Sequence, residues 1–188
     1  MEKRHLLITG LPGSGKTTLL VRLARRFACL HPVGFYTEQI REGGVRVGFR
    51  LVALDGRSRI LAHTGLPGLH RIGRYGVDVA VFDAFLEAIG LINSTAPLVF
   101  LDEIGKMECL SARFTATVRA LLDSGRPVVA TVARHGEGLI AEAKGRDDCD
   151  VVEVTGSNRD ELAEELAGWI GRQVKGAAAC GEREVRPV

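Results

Sequence analysis

The stretch Gly10-Leu-Pro-Gly-Ser-Gly-Lys16-Thr17 constrains the fold of this chain more than any other segment. It meets every fixed position of G-x-x-x-x-G-K-[ST]. Its surroundings also suit a loop of that kind. The apolar run HLLIT at 5–9 reads as a buried strand ahead of it. Behind it, Leu19, Leu20, Leu23, Ala24 and Phe27 recur at helical spacing and predict an amphipathic helix from Lys16 to about Cys29. The glycines let the backbone curl so that successive N–H groups face phosphate oxygens. The helix start adds the positive end of its dipole. Gly10, Leu11, Pro12, Gly13, Ser14, Gly15, Lys16, Thr17 and Thr18 are therefore the expected nucleotide-phosphate contacts. Lys16 is placed to reach the β- and γ-phosphates, and the Thr17 hydroxyl to ligate Mg²⁺. A phosphate cradle does not by itself define a reaction.

The remaining chain alternates strand-like and helix-like stretches. In VGFYTEQIREGGVRVGFRLVALDG, Val45, Val47, Phe49, Leu51 and Ala53 alternate, and Glu42-Gly43-Gly44 offers a tight reversal. That pattern predicts an antiparallel hairpin, with Asp55-Gly56 turning into a third short strand through Ile60 and Leu61. Val77, Ala80, Val81, Ala84, Phe85, Ala88 and Ile89 predict a second helix, and Phe114, Val118, Leu121 and Leu122 a third, stopping near Ser124-Gly125. PLVFLDE (97–103), RPVVATV (126–132) and CDVVEVT (149–155) read as buried strands. Ser157 followed by Asp160 suggests a capping box for a last helix that carries Leu162, Leu166, Trp169 and Ile170 inward. The expected fold is α/β: one domain over 1–175 with a mostly parallel sheet flanked by helices. A hairpin is inserted at about 33–62, and a loose tail follows at 176–188.

A second chemical signal is LVFLDEIGKME. Four apolar residues lead into Asp102, a Walker B pattern, which would hold Mg²⁺ opposite Thr17. Glu103 comes next, and strand alternation points it away from Asp102. A glutamate there is the expected orienter of an attacking water. Gly105 is grouped with the nucleotide contacts, and Lys106 is a candidate for charge neutralisation at the γ-phosphate, with Glu108 as its surface salt-bridge partner. Thr131 would meet the γ-phosphate or its water if its strand lay between those carrying the loop and Asp102. Arg74, Arg134, Arg146 and Arg159 are candidates for an arginine finger, while His63, His70 and His135 show no metal-ligand spacing.

Composition narrows the partners. Lys and Arg exceed Asp and Glu by 25 to 23 over 188 residues, so neither nucleic acid nor an acidic membrane is expected. No apolar run reaches membrane-spanning length. Cys29, Cys109, Cys149 and Cys180 are scattered, which argues against a zinc site or disulfide framework and for free thiols in the cytoplasm.

Taken in order, GLPGSGKTT, GFYTEQIREGGVRVGF, RIGRYGVD, LDEIGKME and VTGSNRDEL resemble the small nucleoside-triphosphatases that include the cancer-related nucleoside-triphosphatase of animals and its bacterial and archaeal relatives. The resemblance implies a RecA-like P-loop NTPase fold. It also implies Mg²⁺-dependent hydrolysis of ATP, GTP and other nucleoside triphosphates to diphosphate and phosphate. Carried over by motif, Gly10 to Thr17 bind phosphates and Asp102 and Glu103 serve metal and water. Two other readings of the residues stay open: a nucleotide or small-metabolite kinase, for which Arg41, Arg46 and Arg50 would form a lid, and a GTP-binding switch with little turnover. The latter lacks N-K-x-D, although Ser157-Asn158-Arg159-Asp160 falls about where a base contact would.

Overall fold

The structure is a computed structural model that describes residues 3–67 and 70–174. The expected C-terminal tail and Cys180 lie outside the described residues. Strands β1 (His5–Thr9), β2 (Val33–Glu42), β3 (Val45–Ala53), β4 (Ser58–His63), β5 (Arg71–Ile72), β6 (Tyr75–Val77), β7 (Val99–Ile104), β8 (Val128–Val132) and β9 (Cys149–Glu153) form one mixed sheet in the order β5-β6-β4-β3-β2-β7-β8-β1-β9. From β2 to β9 in that order every pairing is parallel, and from β2 outward every pairing is antiparallel. Helices α1 (Lys16–Arg26), α2 (Val79–Ile89), α3 (Ala112–Asp123), α4 (Leu139–Lys144) and α5 (Arg159–Gln173) cover both faces.

Strand alternation explains the layering. Leu6 and Ile8 of β1 point into a core shared with α1 and α5, whereas Leu7 points into one shared with α2, α3 and α4. Because both faces are covered, the parallel strands read as continuous apolar runs. Phe35 of β2 sits edge-on to Phe82, Phe85 and Phe114, with centroids 5.9, 5.8 and 6.3 Å away. Each such pair adds about 1 kcal/mol beyond the area it buries. This cluster locks β2 against α2 and α3, and so fixes where Thr37, two residues further on, stands.

Several expectations change. The hairpin at 33–62 joins the sheet through its first strand: Val33 to Phe35 pair in parallel with Val99 to Leu101 before the strand runs out into the hairpin. Val77 belongs to β6, and the second helix starts at Val79, capped by the Asp78 side chain, which accepts from the Val81 N–H at 2.9 Å. Ser157 does not cap α5. Its hydroxyl lies 3.2 Å from that of Thr155, and Asn158 is the cap position without a side-chain cap bond, because local bonds within the loop compete for these groups. Among the described residues Cys109 and Cys149 are free thiols, but Cys29 is disulfide-bonded. No helix of the described residues is long and apolar enough to cross a membrane.

Candidate nucleotide-hydrolysis site

The loop between β1 and α1 is shaped by its glycines. Gly13 and Gly15 lie in the left-handed region, at φ 81° and 96°, which costs a side-chain-bearing residue about 1 kcal/mol or more. Gly10 is required for a different reason: a Cβ there would meet the Val154 carbonyl oxygen at 2.4 Å. That close approach, together with the Val154 N–H donating to the Thr9 carbonyl at 2.8 Å, clamps the loop to the end of β9. Inside the loop the Ser14 N–H donates to the Leu11 carbonyl at 3.1 Å. Lys16 Nζ lies across the loop mouth, 3.1 Å from the Gly10 carbonyl oxygen and 3.2 Å from that of Leu11. Leu11, Pro12 and Gly13 form the exposed tip, and Thr18 is exposed on the first turn of α1.

Asp102, 1% exposed at the end of β7, collects donors from three other elements. Its Oδ2 accepts from Thr17 Oγ1 at 2.9 Å, from Thr37 Oγ1 at 2.8 Å and from the Thr37 N–H at 3.1 Å. Its Oδ1 accepts from Thr131 Oγ1 at 2.5 Å. Strand β8 does run between β1 and β7, as the condition on Thr131 required. Thr131 is fully buried there, and its hydroxyl donates to Asp102. Thr37 is a site residue that sequence reasoning missed. Its only trace was its place in GFYTE.

Glu103 does not follow simple alternation. The β7–β8 register shifts between Leu101 and Ile104, so three steps on β7 match two on β8. A bulge of this kind re-aims side chains. Glu103 consequently borders the same site as Asp102. It lines a cavity of about 260 Å³ with Thr37, Phe49, Gly105, Lys106, Glu108 and His135 among its walls. Burial raises the pKa of the Glu103 carboxyl above the usual carboxylate value, the Asp102 charge adds to this, and Lys16 pulls the other way. A carboxylate held in this manner is a better proton acceptor near neutral pH than a solvated one.

Glu108 overturns its expected role. It is 6% exposed and behind Gly105, so it is not a surface partner of Lys106, which is exposed. Burial pushes its carboxyl up to about 8; its own backbone N–H opposes this, while the charges of Glu103 and Asp102 add to it. The other candidate arginines are engaged away from the loop. Arg134 pairs with Glu153 at 3.5 Å, and Arg146 pairs with Asp123 and Asp148 at 2.8 Å each. Arg74 lies over the Tyr75 ring at 5.3 Å and bonds the Arg46 carbonyl. Arg41 bonds Gln39 and the Gly44 carbonyl, and Arg46 bonds the Tyr75 hydroxyl. Only Arg159 reaches the loop, packed on Gly15. A larger cavity of about 550 Å³ lies between α1 and the β2–β3 strands, and none of the loop residues, Asp102 or Glu103 lines it.

The sequence profile of a family described as NTPase matches residues 5–167. The chain belongs to this family. Nucleoside-triphosphatase THEP1 of Thermotoga petrophila is 42% identical over 168 residues, covering 86% of this chain and 89% of that protein. The human cancer-related nucleoside-triphosphatase is 35% identical over 184 residues, covering 89% and 96%. The crystal structure of THEP1 from Aquifex aeolicus superposes with a TM-score of 0.78 at 30% identity, covering 86% of this chain and 96% of that one. The fold is therefore that of the NTPase family, a P-loop α/β architecture. Its parallel half carries the loop, and its antiparallel half starts at the strand that supplies Thr37.

Proposed function

We propose that this chain hydrolyses nucleoside triphosphates, ATP and GTP among them, to the diphosphate and phosphate, with Mg²⁺ and little discrimination among bases. The carrying observation is that Asp102, at the end of β7, accepts from Thr17 at the end of the glycine loop, with Glu103 next to it and near enough for the Lys16 charge to act on its carboxyl. A hydroxyl and a carboxylate oxygen 2.9 Å apart are hard oxygen donors of the sort Mg²⁺ takes alongside phosphate oxygens, so Thr17 and Asp102 fit as its protein ligands. Bound there, Mg²⁺ would neutralise charge developing on the terminal phosphate oxygens. The backbone N–H groups of the loop and Lys16 hold the phosphates in place and stabilise charge in the same region. Thr37 and Thr131 fix Asp102 from both sides, so that its orientation is set before nucleotide arrives. Glu103 orients a water in the adjoining cavity and takes its proton as the bond to phosphorus forms.

Steady-state phosphate release from ATP, GTP, CTP and UTP, with and without Mg²⁺, tests this directly. Turnover of all four that depends on Mg²⁺ is the expected result. Glu103→Gln should bind nucleotide within about threefold of the wild type and lose at least about a hundredfold in turnover, the scale of general-base catalysis. Wild-type phosphate release by that variant would remove Glu103 from the mechanism. Phosphate appearing on an added acceptor, and not free in solution, would replace the hydrolase with a kinase.

A further inference from the structure

We propose that Arg159 is the nucleobase platform of this enzyme: its guanidinium stacks on the face of whichever base is bound and reads no base edge. This rests on the hydrolase reading above and extends it to the other end of the nucleotide. Sheet order sets that end. Asp102 and Glu103, which mark the terminal-phosphate side, stand on β7, two strands from β1; Arg159 follows β9, on the opposite flank of β1. A phosphate chain cradled by the loop with its terminal group toward Asp102 sends its nucleoside toward Arg159.

The side chain is placed for the task. A Cβ built on Gly15 would meet Arg159 Cδ at 2.9 Å and its guanidinium nitrogens at 3.2 and 3.8 Å, so the arginine lies directly along the loop. The absence of a Cβ at Gly15 gives it that space. Its neighbours with negative charge are occupied elsewhere. Asp160 pairs with Arg22 at 2.9 Å, Glu164 with Arg26 at 2.7 Å, and Glu153 with Arg134 at 3.5 Å. Among the described residues Arg159 has no hydrogen-bond or ion-pair partner. The ion pairs to α1 and the clamp of Val154 on Gly10 and Thr9 hold the start of α5 in register with the loop.

The surrounding polar groups explain why edges go unread. The Asn158 amide, the group in this loop suited to a base edge, is spent on its own backbone. Its Oδ1 accepts from the Thr155 N–H at 2.8 Å, and its Nδ2 donates to the Glu153 carbonyl at 3.0 Å. Ser157 and Thr155 share a hydroxyl contact at 3.2 Å. What remains for a base is a planar cation, and every base has a π face to set against it. Low base discrimination follows from which groups are already satisfied.

Inorganic tripolyphosphate, which has phosphates and no base, separates this role from a phosphate contact. Arg159→Ala should raise KM for ATP, GTP, CTP and UTP by about tenfold, purines more than pyrimidines, while kcat moves by less than about threefold. Tripolyphosphate, measured as a competitive inhibitor, should bind within about twofold of the wild type. Arg159→Lys, which keeps charge without the plane, should retain most of the KM defect. An unchanged Tm shows that the variants are folded. Equal weakening of tripolyphosphate and nucleotides, full rescue by lysine, or unchanged KM would each overturn the proposal. Wild-type protein that turns over none of the four nucleotides would instead defeat the hydrolase reading on which it stands.

Discussion

Replacing Thr131 by Val isolates one hydroxyl at the centre of the site. The two side chains have nearly the same shape, so no cavity forms in β8, and what is lost is the 2.5 Å bond to Asp102 Oδ1. Thr17 and Thr37 both address Oδ2, so Oδ1 loses the one protein donor it has among the described residues. Leaving a buried carboxylate oxygen without its donor costs about 1.5–3 kcal/mol. For a chain of this size each kcal/mol lowers Tm by about 2–4 °C, which gives a fall of about 3–12 °C. Thermal unfolding of wild type, Thr131→Val and Thr131→Ser without nucleotide measures it. Serine restores the hydroxyl and should recover most of the loss. The competing role, a hydroxyl on the reacting phosphate, predicts the reverse pattern: impaired turnover in Thr131→Val with Tm within about 1 °C of wild type. That outcome would refute the assignment of Thr131 to Asp102.

Glu108→Gln should be pH-dependent in its effect. The folded carboxyl is raised from 4.5 to about 8, so it holds its proton more tightly than in the unfolded chain, and its favourable contribution, complete below about 4.5, is lost as pH rises through 8. Glutamine cannot ionise, so the variant should match the wild type near pH 4.5 and melt at least about 5 °C higher above pH 8; a Tm difference that does not grow with pH would contradict this. Gly34→Ala should be severely destabilising, by more than about 3 kcal/mol, because its Cβ would fall 1.8 Å from the Phe100 carbonyl oxygen at a φ of +148°. Gly44→Ala, at φ +81° with nothing within 4 Å, supplies the comparison for backbone strain alone and should cost about 1–2 kcal/mol by chemical denaturation. Equal losses in the two would mean that β2 and β7 are free to part.

What was legible in the sequence was what neighbouring residues decide among themselves. The phosphate loop is such a case: Gly13 and Gly15 answer to the local path of the backbone, and the strand before it and the helix after it declare themselves by period. Asp102 was legible for the same reason, as a carboxylate ending an apolar run. The partners of Asp102 were not, because which strand ends meet is set by sheet order. Thr131 pointed to the right neighbourhood, and its bond to Asp102 is the contact that strand order adds. Thr37 was hidden in a segment whose alternation spoke only of a hairpin, since the parallel pairing of its strand to β7 joins residues 66 positions apart. Glu108 looked like a surface residue because the charged pattern around it gives no sign of the turn that folds it behind Gly105. The strands at Arg71–Ile72 and Tyr75–Val77 are too short for any period to show.

The dependence of Asp102 on distant strands gives the hairpin a place in the chemistry. One carboxylate draws its donors from the start of α1, from β2 and from β8, so its orientation records how those three elements sit relative to β7. Displacing β2 removes two of the four bonds together, the hydroxyl and the N–H of Thr37. The glycine that lets β2 approach Phe100, the aromatic cluster around Phe35 and the antiparallel extension beyond it all act on that one spacing. A strand that looks like an addition to the nucleotide-binding core is thus a condition for the geometry of its carboxylate. Substitutions that loosen the packing of Phe35 should reach the active centre even though Phe35 lines neither the loop nor the cavity beside Glu103.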